Sequence, residues 1–184
     1  MRLRLGITMG DPRGIGPEII RAAVTQLGQI NPEVSWVLYG LPDLFHSLNA
    51  ELKGTTGPRA AREAIEQAAE DLNIGSLDAV ITGPVSKSCF EGDFPGHTEL
   101  FAARLGAPRY AMLMAGPELN VVPLTTHVAL RDVAGLLRRE EIVATGLLVH
   151  QSLSDAFGLK TPRLALAGLN PHAGDGGLFG DEEA

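Results

Sequence analysis

The sequence has a single cysteine, Cys89, and no apolar run near the roughly 20 residues that a helix needs to cross a bilayer. One thiol forms no internal disulfide and no cysteine-rich zinc site, which suits a reducing compartment. Cys89 itself reads as a small loop or core residue ahead of a nucleophile. Basic residues are also scarce: 15 Lys and Arg face 22 Asp and Glu, a net charge of −7. That leaves no basic stripe to displace counterions from phosphates, so a general nucleic-acid surface is excluded while a local anion site is not. The opening stretch "MRLRLGITMGDP" lacks the apolar core and cleavage site of a signal peptide. Together these absences predict a soluble, cytoplasmic protein without a membrane partner. Aromatics are few, and there is no internal repeat, heptad pattern or low-complexity tract.

Against these absences stand 22 glycines and an alternation of short apolar runs with alanine-rich helical stretches, the pattern of an α/β protein. At 184 residues the chain has room for one ordinary domain, or for a domain and part of another. Leu3 to Met9 reads as a strand closed by Gly10 and Asp11. Pro17 and Glu18 then open the helix "PEIIRAAVTQLGQ", with proline in the first turn and an acid at the positive end of the dipole. "VSWVLYG" is the second strand, "GPRAAREAIEQAAEDLNIG" a helix between Pro58 and Gly75, and "DAVITGP" the third strand. In "PGHTELFAARLG", Thr98 is the expected cap of a short helix closed by Gly106. "YAMLMAG" and "LNVVPLTTH" read as two more strands, Leu130 to Phe157 as two helices, and "RLALAGLN" as the last strand. The expectation is an α/β fold with a mainly parallel sheet flanked by helices. "KGTTGP", residues 53–58, reads as its boundary or equally as a surface loop. The closing "GDEEA" reads as a helix beginning, so the chain is expected to be cut short at its C-terminus.

In such a sheet, ligands bind beyond the carboxyl ends of the strands, where loops converge and helix N-termini present their N–H groups. Four loops are expected there: "TMGDPRGIGPE", "ITGPVSK", "LTTH" and "LNPHAGDGG". In the first, Gly14 and Gly16 allow close backbone approach beside a helix N-terminus. The spacing matches neither the Walker A motif nor the dinucleotide fingerprint, so an anion or cofactor loop and a merely tight turn both stay open. His127 and His172, far apart in sequence, fall on one sheet edge and supply two neutral imidazoles, good ligands for Zn, Co, Ni or Fe. A third ligand has to come from elsewhere, from Asp175, absent sequence or another subunit. "PGHTE" sets His97 and Thr98 at a helix start, an arrangement suited to a phosphate or a hydroxyl. Lys87 reads as a solvated lysine before an acid/base. His46 and His150 lie in helical stretches with no assigned role, and Arg138 and Arg139 read as a solvated face partnered by Glu140 and Glu141.

Taken together, "GDPRGIGPE", "ITGPVSK", "FPGHTELFA", "LTTHVALRDV" and "GLNPHAGDGGLFGDEE" closely resemble, in order and spacing, the 4-hydroxythreonine-4-phosphate dehydrogenase family of pyridoxal phosphate biosynthesis. That family shares the isocitrate/isopropylmalate dehydrogenase-like fold. The resemblance implies NAD- or NADP-dependent oxidation of the 3-hydroxyl of 4-phosphohydroxy-L-threonine, followed by loss of CO2 to give 3-amino-2-oxopropyl phosphate. It implies a divalent metal, Zn, Mg or Co, held by His127 and His172. It implies that His97 and Thr98 contact the phosphorylated substrate, and that the family works as a homodimer with each site shared between subunits.

The chain departs from that pattern in length. Residues 1–184 correspond to the N-terminal portion of a two-subdomain dehydrogenase, without the family's third metal histidine in a "YHDQG" motif, its Lys, Asn and Arg substrate contacts, or most of the cofactor pocket. The stretch from Gly40 to Gly57 also looks shorter than in relatives. The chain alone is therefore expected to be inactive or nearly so. Alternatives are an oxidative decarboxylase of 4-phospho-threonate, 4-phospho-erythronate or a diol carboxylate, and a non-catalytic remnant that binds metal or phosphate. A metal-dependent hydrolase lacks a strong general base among the motifs.

Overall fold

A computed structural model describes residues 2–45, 51–54, 59–90 and 92–183. The chain divides into two compact units, Met1–Pro108 and Arg109–Ala184. The division falls far from residues 53–58, where the sequence reads as a boundary or a loop. Lys53 and Gly54 end a strand, the helix of residues 60–73 follows, and both belong to the first unit.

The first unit is built on a four-stranded, wholly parallel sheet in the order β3-β2-β1-β4. Its strands are β1 (Arg4–Thr8), β2 (Ser35–Gly40), β3 (Glu51–Gly54) and β4 (Ala79–Thr82). Helices α1 (Gly16–Ile30), α2 (Pro42–Phe45) and α3 (Ala60–Asn73) connect them. Period-2 alternation explains why both faces of β2 are buried. Trp36 and Leu38 pack with Ile7, Met9 and the α1 residues Ile20 and Val24, while Val37 and Tyr39 pack with Ala64 and Ala68 of α3. Alanines bring α3 close to the sheet, and its far side meets Phe90 and Leu100. Leu100 belongs to α4 (His97–Arg104), which follows a 3-10 turn over Lys87–Phe90.

Strand β3 escaped sequence reading because "ELKG" is short and half charged. What fixes it is a polar network: Lys53 Nζ and Tyr39 Oη both donate to Asp71 Oδ2 at 2.5 Å, tying β3 and β2 to the end of α3. Tyr39 is fully buried and Asp71 nearly so. Burial, with the Asp71 hydrogen bond and charge, raises the Tyr39 pKa. Burial would also raise Asp71, but hydrogen bonds from Lys53 and Tyr39 outweigh it and hold that carboxyl low.

The second unit holds a two-stranded antiparallel ladder, β5 (Met114–Ala115) with β6 (Asn120–Val121), then a 3-10 turn (Leu130–Asp132), α5 (Val133–Leu136) and α6 (Arg139–Asp155). Two expected strands shrink to this hairpin. The expected strand "RLALAGLN" does not form, because a strand needs a neighbour for its N–H and C=O groups and none of the described residues pairs with it. Leu164 and Leu166 are accordingly exposed. The closing "GDEEA" forms no helix among its described residues. Glu183 instead turns back to accept the Asn170 N–H at 2.6 Å. Among the described residues no helix is long and apolar enough to cross a membrane.

Candidate functional site

In the order 3-2-1-4 the chain reverses direction across the sheet between β1 and β4, the place where open α/β sheets form a crevice. The loops after these two strands are locked together. Asp11 N–H donates to the Pro84 carbonyl at 2.9 Å, and Gly83 N–H to the Thr8 carbonyl at 3.0 Å. The two glycines singled out in this loop now separate. A Cβ at Gly16 would lie 2.4 Å from the Met9 carbonyl oxygen, so packing alone explains it. A Cβ at Gly14 would meet nothing closer than 3.5 Å, so no steric demand accounts for that glycine. Asp11 accepts from both the backbone and the guanidinium of Arg13, which hold its carboxyl below the usual range. Lys87 is exposed, and Cys89 is half-buried against the core.

Helix α4 begins two residues earlier than the capping pattern suggests. His97 is its first residue, Gly96 occupies the cap position, and no side chain caps the end. Thr98 thus sits within the first turn and caps nothing, because the extended Gly96 already turns the chain into the helix. The His97 ring lies edge-on to Phe90, centroids 5.3 Å apart, and burial lowers its pKa. Its Nε2 is buried without a hydrogen-bond partner among the described residues. Buried polar atoms are rarely left unpaired, so this nitrogen calls for an explanation. The helix carrying it is fastened to α3: Glu66 accepts two bonds from Arg104, at 2.6 and 2.8 Å, and one from Arg62 at 2.9 Å. Both guanidiniums lie over the Phe94 ring. The Arg104 bonds, with Arg62, keep the Glu66 carboxyl low despite burial.

His127 and His172 both belong to the second unit, and both are exposed. Neither follows a strand of the parallel sheet, so the expected shared strand edge is not what places them. Local backbone does. His127 has φ of 58°, in the left-handed region that non-glycine residues seldom occupy. His172 immediately precedes five residues of positive φ, including Ala173 at 49° and Asp175 at 44°. Such conformations cost energy and concentrate at functional sites. No group of three His, Cys, Asp or Glu able to hold a metal occurs among the described residues. Asp175 donates its backbone N–H to the His172 carbonyl and is exposed. The described residues of this chain by themselves make up no complete metal site.

A family model described as pyridoxal phosphate biosynthetic protein PdxA matches residues 42–184. The chain belongs to the PdxA family. It is 40% identical over 220 residues to a 4-hydroxythreonine-4-phosphate dehydrogenase of Desulfosudis oleivorans, covering 98% of this chain and 65% of that protein. A relative of the same name from Erythrobacter litoralis is 36% identical, with 97% of this chain and 66% of the relative covered. The crystal structure of the Klebsiella pneumoniae 4-hydroxythreonine-4-phosphate dehydrogenase superposes with a TM-score of 0.81 at 28% identity, over 100% of this chain and 68% of that one. The chain thus spans about two thirds of these PdxA-family lengths. An alignment of 220 positions against a chain of 184 also means that the Desulfosudis relative has internal residues this chain lacks.

The remaining expectations divide. His150 is an exposed residue of α6, while His46 lies outside the described residues. Arg138 donates to the Leu137 carbonyl, and Glu141 pairs with Arg109 at 2.7 Å, not with the neighbouring arginines. Sequence reading missed Asn170 and Glu183. Their signal was available in "GLNPH" and "DEE", but the pairing spans thirteen residues of irregular chain that no periodicity predicts.

Proposed function

We propose that the chain carries one side of a dehydrogenase site for 4-phosphohydroxy-L-threonine, in which NAD or NADP takes a hydride from the substrate's 3-hydroxyl carbon and the product loses CO2. The observation carrying this reading is the buried, unpartnered Nε2 of His97 at the uncapped start of α4, within a chain of the PdxA family. The first turn of a helix has N–H groups without intrahelical acceptors and a partial positive charge. With the Thr98 hydroxyl and the imidazole, it suits a phosphate ester. Because burial disfavours the imidazolium, His97 is neutral near pH 7 and donates from Nε2 in the matching tautomer.

His127 and His172 would hold a divalent ion, Zn, Mg or Co, together with a ligand from outside the described residues. Such an ion, when bound, supplies Lewis-acid stabilisation of negative charge on a substrate oxygen. The residues of this chain hold the two imidazoles in place, orient the phosphate end through His97 and Thr98, and keep water from the buried face of His97. Gly14 is the part of the β1 loop open to a cofactor or anion. The same reading includes a homodimer that completes each site across the subunit boundary, the N-terminal portion of a two-subdomain enzyme, and a reducing cytoplasmic setting.

The test is an NMR titration of the purified chain with 4-phosphohydroxy-L-threonine, following the His97 ring, beside absorbance at 340 nm with NAD or NADP and each metal. Saturable shifts of His97 that are lost in Thr98→Val support the reading. A His97 ring that is indifferent to millimolar substrate overturns it. Stronger binding of 4-phospho-threonate or 4-phospho-erythronate would move the substrate assignment within the same chemistry.

A further inference from the structure

We infer that Asn170, anchored by Glu183, is a positioning residue that fixes His172. The inference rests on the reading of His172 as a metal ligand. Four bonds converge on Asn170. Its Oδ1 accepts the His172 N–H at 2.9 Å, its Nδ2 donates to the Phe179 carbonyl at 3.1 Å, and its own N–H donates to Glu183 Oε1 at 2.6 Å. The Asn170 carbonyl also takes the Ala173 N–H at 2.9 Å. One side chain therefore joins the residue bearing the imidazole to the residue whose ring stands beside it, since the His172 and Phe179 centroids are 5.5 Å apart.

This fastening explains how the left-handed run from Ala173 to Gly177 persists. Two of its members, Ala173 and Asp175, are not glycine and resist that conformation. Within it, the His172 carbonyl accepts from Asp175 N–H and the Gly174 carbonyl from Phe179 N–H, closing a compact loop around Gly174. A Cβ at Gly174 would stand 2.7 Å from the Gly180 carbonyl oxygen. Asn170 and Glu183 bracket that loop at its two ends. His172 is exposed, so its backbone is placed by these bonds and its ring is supported by Phe179 alone among the ring contacts of the described residues. Groups that orient metal-binding imidazoles from outside the ligand set change metal affinity by about 10–100-fold.

The experiment uses the whole chain and Zn2+ in isothermal titration calorimetry, beside hydrogen exchange at the His172 amide. Zinc affinity is expected to fall about 10–100-fold in Asn170→Ala. Glu183→Ala should weaken binding while Glu183→Gln, equally neutral but still an acceptor, should remain near the affinity of the parent. That split separates the hydrogen bond from the charge. Exchange at the His172 amide should accelerate in Asn170→Ala, whether or not zinc is present. Zinc binding that is lost in His172→Ala but unchanged in Asn170→Ala overturns the inference and leaves the metal reading intact. Absence of zinc binding in the parent chain overturns the metal reading, and the exchange measurement then decides the role of Asn170 alone: continued protection in Asn170→Ala refutes it.

Discussion

Replacing Tyr39 by phenylalanine removes one hydroxyl from a network whose geometry fixes the outcome. The phenol donates to Asp71 Oδ2, which also receives Lys53 Nζ. A hydrogen bond to a charged group contributes about 1.5–3 kcal/mol. Phenylalanine leaves nothing unpaired and Asp71 keeps Lys53, so the loss belongs at the lower end, about 1.5 kcal/mol. Asp71→Ala should cost more, because it strands the Tyr39 hydroxyl, which is fully buried and cannot turn to water. The alkaline limb is the sharper test. Burial and Asp71 raise the Tyr39 pKa above its unfolded value, so the folded chain keeps a proton that the unfolded chain gives up. The unfolded state then binds fewer protons, and stability falls as pH rises past about 10, by up to about 1.4 kcal/mol per pH unit. Below that pH the contribution is fully present. Chemical denaturation at pH 7 and at pH 11, followed through Trp36, the single tryptophan, reports on the first unit. The difference between parent and Tyr39→Phe should shrink at the higher pH. Equal stability at pH 7 with parallel pH profiles would refute the network's role, as would a Tyr39→Phe cost exceeding that of Asp71→Ala.

Other perturbations probe the site loops. Gly16→Ala pushes a methyl into the Met9 carbonyl and should destabilise the first unit by about 1–3 kcal/mol or more; Gly14→Ala, with room at 3.5 Å, should stay within about 0.5 kcal/mol, both read from denaturation midpoints. Ala173→Gly relieves a left-handed alanine and should stabilise its loop by about 0.5–1 kcal/mol, seen as slower exchange of the Phe179 amide that bonds Gly174. His97 should titrate below the ordinary histidine value in an NMR pH series, because burial penalises its charged form. Its folding contribution is present above the unfolded value near pH 6.5 and is lost as pH falls through the folded one, and a His97 that titrates at or above that value contradicts the buried site.

How much of this was legible in the sequence depended on which interactions build each element. Strands β1 and β2 and helices α1 and α3 are written in apolar periodicity, because their side chains bury against the faces of one sheet; β4 is read from the apolar run "AVIT", though it packs through the partly buried Val80 and leaves Ile81 exposed. β3 is written instead in a long-range polar contact, Lys53 to Asp71, which no local window contains. "RLALAGLN" has the composition of a strand and no partner to pair with among the described residues. Composition states what a segment can bury; only a neighbour supplies the ladder.

The candidate site shows the same division between what residue type announces and what geometry supplies. His97 and His172 stand out in the sequence because glycine and proline beside a histidine mark a backbone arranged for one side chain, whereas His127 stands out only by its expected place after a strand. The reason first given for the metal pair, a common strand edge, does not survive, yet the backbone does single out both residues: one is itself left-handed and the other opens a left-handed run. A strand end would fix an imidazole through the sheet behind it. A strained loop fixes it only as firmly as the bonds that close the loop, which moves the burden from the histidine to Asn170 and Glu183. If metal binding in this chain is tight, its sensitivity should therefore lie in these two residues as much as in the ligands.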